Sequence, residues 1–129
     1  MIGPKDATLL VISAKDAGEE ARNALRACAT ALGHERLPLF ATVEEIDDLA
    51  LFIHEVDPWC VVAIDDVSIA SLKSAFPKHA SGLAPDAPVD ACGYALIAVP
   101  GFVSCINNQA EKRVAWSRLQ AAKHPVVPW

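Results

Sequence analysis

The chain has no apolar run near the ~18 consecutive residues that a membrane-spanning helix needs. Its first residues, Met1-Ile2-Gly3-Pro4-Lys5-Asp6, lack the basic region, apolar run and cleavage site of a signal peptide. A cytoplasmic protein with no membrane association is the expectation. Positive charge is scarce: 11 Lys plus Arg stand against 16 Asp plus Glu, a net charge of -5. That balance repels phosphate backbones unless the bases cluster, so nucleic acid is a disfavoured partner. Lys112, Arg113, Arg118 and Lys123 form the one cluster and read first as a solvated helix face. Closely spaced cysteines are lacking too. Cys28, Cys60, Cys92 and Cys105 show none of the short spacings of zinc or iron–sulfur ligands, and His34, His54, His79 and His124 form no pair at ligand spacing. A glycine-rich phosphate loop, a nucleophile elbow and internal repeats are likewise missing. No metal or cofactor is expected. The cysteines read as reduced thiols acting as small hydrophobes, and only Cys92 and Cys105, in or beside loops, have the setting of a reactive thiolate.

What is present points to one α/β domain spanning residues 1–129. With 53% hydrophobic residues, a chain of 129 residues buries roughly two thirds of its unfolded surface. The stretch Trp59-Cys60-Val61-Val62-Ala63-Ile64, entered through Asp57-Pro58 and stopped by Asp65-Asp66, has the continuous apolar character of a strand covered on both faces. Thr8-Leu9-Leu10-Val11-Ile12-Ser13 reads the same way and belongs beside it. Between them, Asp16 and Glu19 have capping-box spacing, Ala21, Ala24, Leu25, Cys28 and Leu32 recur at helical steps, and Gly33 gives a left-handed stop. Arg36-Leu37-Pro38-Leu39-Phe40-Ala41 is a shorter apolar strand whose proline puts it at a sheet edge. Thr42 and Glu45 repeat the box ahead of a helix striped by Ile46, Leu49, Ala50 and Ile53.

A third, short helix follows over Val67 to Phe76, then an aperiodic proline-rich connection from Pro77 to Gly93, expected to be a binding or mobile loop. Tyr94-Ala95-Leu96-Ile97-Ala98-Val99 reads as a fourth strand, Phe102-Val103-Ser104-Cys105-Ile106 as a short extra one, and Asn108 with Glu111 opens a last helix. A terminal Trp129 packs on its own domain or on a neighbouring subunit. Alternating strands and helices predict a three-layer αβα sandwich with a mostly parallel four-stranded sheet in the order 2-1-3-4.

In such a sheet ligands bind beyond the carboxyl ends of the strands. That rule selects Ser13, Lys15 and Asp16 after the first strand, Asp65, Asp66 and Ser68 after the third, and Val99, Pro100 and Gly101 after the fourth. Asp65 and Asp66 suit a magnesium ion or a phosphoacceptor, but capping the third helix is the favoured role. Asp16 is a helix cap or, alternatively, a water-activating base and the one catalytic candidate.

Ala41-Thr42-Val43-Glu44-Glu45, leading to the strand that ends at Asp65, resembles the first half of a response-regulator receiver domain. That resemblance implies phosphorylation of Asp65, with Ser13 and Ala14 standing where the family keeps paired metal-binding acids. His54-Glu55-Val56-Asp57-Pro58-Trp59-Cys60-Val61-Val62-Ala63-Ile64, followed by a helix around Ile69-Ala70-Ser71-Leu72, resembles the uracil-DNA glycosylase-like superfamily. Here the resemblance implies a shortened, degenerate relative: Val99 replaces the histidine of a His-Pro-Ser type motif, and Asp16 lies in the loop of the water-activating residue. The expected function is a non-catalytic binding or interaction module whose partner is another protein or a second copy of the chain. The alternatives are an enzyme acting on nucleic acid or a nucleotide, and a receiver-like phosphoacceptor.

Overall fold

The computed structural model describes residues 1–123; the expectations for His124 and Trp129 lie outside the described residues. The strands are β1 (Leu9–Ser13), β2 (Leu39–Thr42), β3 (Cys60–Ala63), β4 (Val89–Ala91) and β5 (Tyr94–Ala98). The helices are α1 (Glu19–Ala31), α2 (Leu49–Val56), α3 (Asp66–Ala75), α4 (Phe102–Cys105) and α5 (Gln109–Leu119), with 3-10 turns at Val43–Glu45 and Gln120–Ala122. The sheet runs β2-β1-β3-β5-β4; β2, β1, β3 and β5 are parallel, and β4 is antiparallel to β5. The four parallel strands thus keep the order expected of them, and the sheet gains a fifth.

Successive residues of a strand face opposite ways, and here both ways are covered. Leu9, Val11, Val62 and Ile97 face α1 and α5, while Leu10, Ile12, Val61 and Leu96 face α2 and α3. Val61 and Val62 are both 0% exposed, at the middle of the sandwich. Each helix contributes residues at three- and four-residue steps: Ala21, Leu25 and Ala29 from α1, and Leu72 with its C-cap residue Phe76 from α3.

Several expectations are corrected. Helix α1 starts at Glu19 with Gly18 as its N-cap, so Asp16 caps no helix. The Thr42/Glu45 box closes the 3-10 turn; α2 begins later, capped by Asp48, whose Oδ1 accepts from the Leu51 amide. Within the connection from Pro77 to Gly93 lies β4, and Ala80 and Leu83 are buried in the α2/α3-side core, so much of this segment is packed. Phe102–Cys105 is helical, not extended: Gly101, at φ 70°, turns the chain, and Phe102 and Cys105 enter the core one turn apart. His34, just past the Gly33 helix stop, is 4% exposed. Its Nε2 lies 2.7 Å from the Ala122 carbonyl and so donates, leaving Nδ1 to accept from Thr8 Oγ1 at 2.7 Å.

Candidate functional site

The strand order reverses between β1 and β3, and their carboxyl ends are where a sheet of this kind would hold a ligand. The residues there are held by their own backbone. Asp65 ends β3 and caps α3: Oδ1 accepts from the Ser68 amide at 2.8 Å, while Oδ2 reaches across to accept from the Ala14 amide at 2.7 Å. Ser68, 0% exposed, closes the box by accepting from the Asp65 amide. Ser13 Oγ donates to the Lys15 carbonyl at 2.6 Å. Asp65 therefore straps the β1 loop to the β3 loop at the switch point.

Asp16 lies to one side, accepting from the Gly18 amide and paired with Arg22, which also binds Glu19 at 2.8 Å. The guanidinium of Arg22 beside Glu19 holds that carboxyl below its ordinary range, and Glu19 in turn raises Arg22. Ser13 and Asp16 share a cavity of about 180 Å³ with Phe40, Thr42 and Glu45 at the β1–β2 edge. Pro100 and Gly101 border a different one of about 210 Å³, against α5. Val99 lines neither: it is 0% exposed and packed in the core. Lys15 and Asp66 are exposed. The residues chosen from strand ends are thus divided between two small hollows, a main-chain strap and the core. Among the described residues no group of three or more His, Cys, Asp or Glu could hold a metal ion, and no helix is long and apolar enough to cross a membrane.

No family model, curated protein or solved structure matches this chain. Its surface therefore has to speak from geometry. A concavity larger than these two hollows, about 740 Å³, is a shallow groove between α2 and α3. Val67, Ala70, Ser71 and Ser74, at the i, i+3, i+4, i+7 positions of one helix face, form one wall. Ile46, Leu49 and Ala50 form the other, and Asp47 and Asp48 edge it. Ser71 turns its hydroxyl back to the Val67 carbonyl at 3.0 Å, so it adds little unsatisfied polarity to that wall. Strand-end reasoning misses this groove because it lies on a helical layer. A signal for it exists in the sequence: from Leu37 to Leu72 there is no Lys or Arg, yet this stretch holds half of the chain's 16 acids.

Proposed function

We propose that the protein is a non-catalytic interaction module that docks a partner protein on its α2–α3 face. The observation that carries this is the state of the crest carboxylates. Both oxygens of Asp65 accept main-chain N–H groups, whereas a phosphoacceptor needs an oxygen open to its substrate, and Asp16 is engaged through Oδ1 by the Gly18 amide and Arg22. The α2–α3 groove is the opposite case, with small apolar walls and acids that pair with no base among the described residues. A cytoplasmic location belongs to the same proposal; all four cysteines are free thiols, as suits a reducing compartment.

Site-resolved photo-crosslinking in the native cells tests it. A photoreactive residue at position Ala70 is expected to give a discrete protein adduct, and the same residue at Lys15 on the crest none. Adducts only from the crest position overturn the proposal. A second reading is favoured by the cavity holding Ser13 and Asp16: an enzyme acting on nucleic acid or a nucleotide, with Asp16 as base. At about 180 Å³ that cavity is smaller than the roughly 300–1,000 Å³ of ordinary ligand pockets. Binding of single-stranded DNA or of nucleotides at low salt, weakened by Asp16→Ala, would establish this second reading in place of the first.

A further inference from the structure

The walls and charges of the α2–α3 groove define what fits it. Helix α3 has 10 residues, about 15 Å of axis, so the groove offers room for some two to three helical turns. Its wall residues, Ala50, Ala70, Ser71 and Ser74, are small enough for another backbone to come close. An extended peptide is a poor occupant: the backbones of α2 and α3 are already hydrogen-bonded within their helices and offer no free ladder, leaving its amides unsatisfied. A helix satisfies its own backbone and needs only an apolar stripe to lie in the groove.

Charge selects further. Asp47 and Asp48 are exposed at the edge of the groove, one Asp48 oxygen is committed to the α2 cap, and Lys73 of α3 is absent from the lining. Glu44 and Asp66 are exposed on the flanking residues. Two copies of this chain meeting groove to groove would double the acids and bring no Lys or Arg from the lining to Asp47 and Asp48, which disfavours a symmetric dimer through this face.

We propose that the groove receives a basic amphipathic α-helix of a partner protein, its small apolar stripe against Ala70 and Ser74 and its Lys or Arg side chains against Asp47 and Asp48. This rests on the reading of the α2–α3 face as the docking surface and adds the chemistry of the partner.

The probes are two synthetic peptides of the same amphipathic helical pattern, one with Lys and one with Glu flanking a Leu/Ala stripe, titrated into the full chain. The Lys peptide is expected to bind at least about tenfold more tightly than the Glu peptide and to weaken as NaCl rises from about 0.05 to about 0.5 M. Asp47→Asn with Asp48→Ser, which keeps a capping oxygen on α2, is expected to cut Lys-peptide affinity about tenfold with an unchanged melting temperature. Ala70→Trp, which fills the groove, is expected to abolish binding of either peptide. Equal affinity for the two peptides, no response to the double substitution, or no binding of the Lys peptide at about 1 mM (a threshold near -4 kcal/mol) overturns the proposal. If the Ala70 crosslink still traps a protein whose contacting segment is acidic or extended, or traps a second copy of this chain, the docking surface stands and the basic helix fails. If that crosslink is silent and the Lys peptide is not bound, both fail.

Discussion

Asp65 shows how one carboxylate closes a crevice. A free carboxylate after β3 would sit over the switch point, available to a metal or a substrate. Here Oδ1 caps α3 and Oδ2 holds the Ala14 amide, so the group stabilises two connections at once. Loss of the cap costs about 1 kcal/mol, and the charged cross-loop hydrogen bond adds a comparable amount at this half-buried site. Asp65→Ala should therefore lower unfolding free energy by about 2 kcal/mol in urea titrations, and Asp65→Asn, keeping one acceptor oxygen, by about half as much. An unchanged midpoint for Asp65→Ala would falsify the strap. Glu19 supplies a pH-dependent contribution. Its folded-state carboxyl is held down by Arg22, so the stabilisation is present above the unfolded value of about 4.3 and is lost as pH falls through the lower folded value. The denaturation midpoint of the wild-type chain should fall across that acid window, and Glu19→Gln should flatten the fall. A cap from Asp65 or Asp66 was readable in the sequence; the second bond of Asp65, to Ala14, spans 51 residues and follows only from the pairing of β1 with β3.

At the scale of elements, the β4–β5 hairpin is where local sequence was least informative. Val89-Asp90-Ala91 is too short to show alternation, and the turn Cys92-Gly93 lacks the Asn-Gly or Asp-Gly pair that marks two-residue hairpins. Yet both turn residues have positive φ, 54° and 89°, as a type I′ turn requires. A left-handed conformation is unfavourable for cysteine and tolerated by asparagine. Cys92→Asn should thus stabilise the protein by about 0.5 kcal/mol, read from the shift of the urea midpoint at constant m-value. A destabilised or unchanged variant would mean that the Cys92 side chain makes a contribution that its exposure does not reveal. Helix α4 taught the opposite lesson. The apolar content of Phe102-Val103-Ser104-Cys105-Ile106 suits a strand as well as a helix, and the left-handed Gly101 together with burial of Phe102 and Cys105 on one side selects the helix.

Across the whole molecule, the sheet separates two apolar layers, each a cluster of its own. Ile97 of β5 belongs to the α1/α5 side and Ile53 of α2 to the α2/α3 side. Ile97→Val and Ile53→Val should each cost about 0.5–1.5 kcal/mol, and the double variant their sum within about 0.5 kcal/mol. A larger coupling, measured by a double-mutant cycle of denaturation free energies, would mean that the layers pack as one. The sequence by itself determined the alternation of strands and helices, the two-faced burial of β1 and β3, the edge position of β2 and a carboxylate cap at Asp65 or Asp66. All of these follow from periodicity and from hydrogen bonds between near neighbours. Tertiary structure alone decided that the strand ends form no common crevice, that Val99 turns into the core, that His34 joins Thr8 to Ala122, and that an acid-edged groove opens between α2 and α3. The physical reason is distance along the chain: these features arise where residues tens of positions apart are brought together, and local spacing carries no record of which partners they meet.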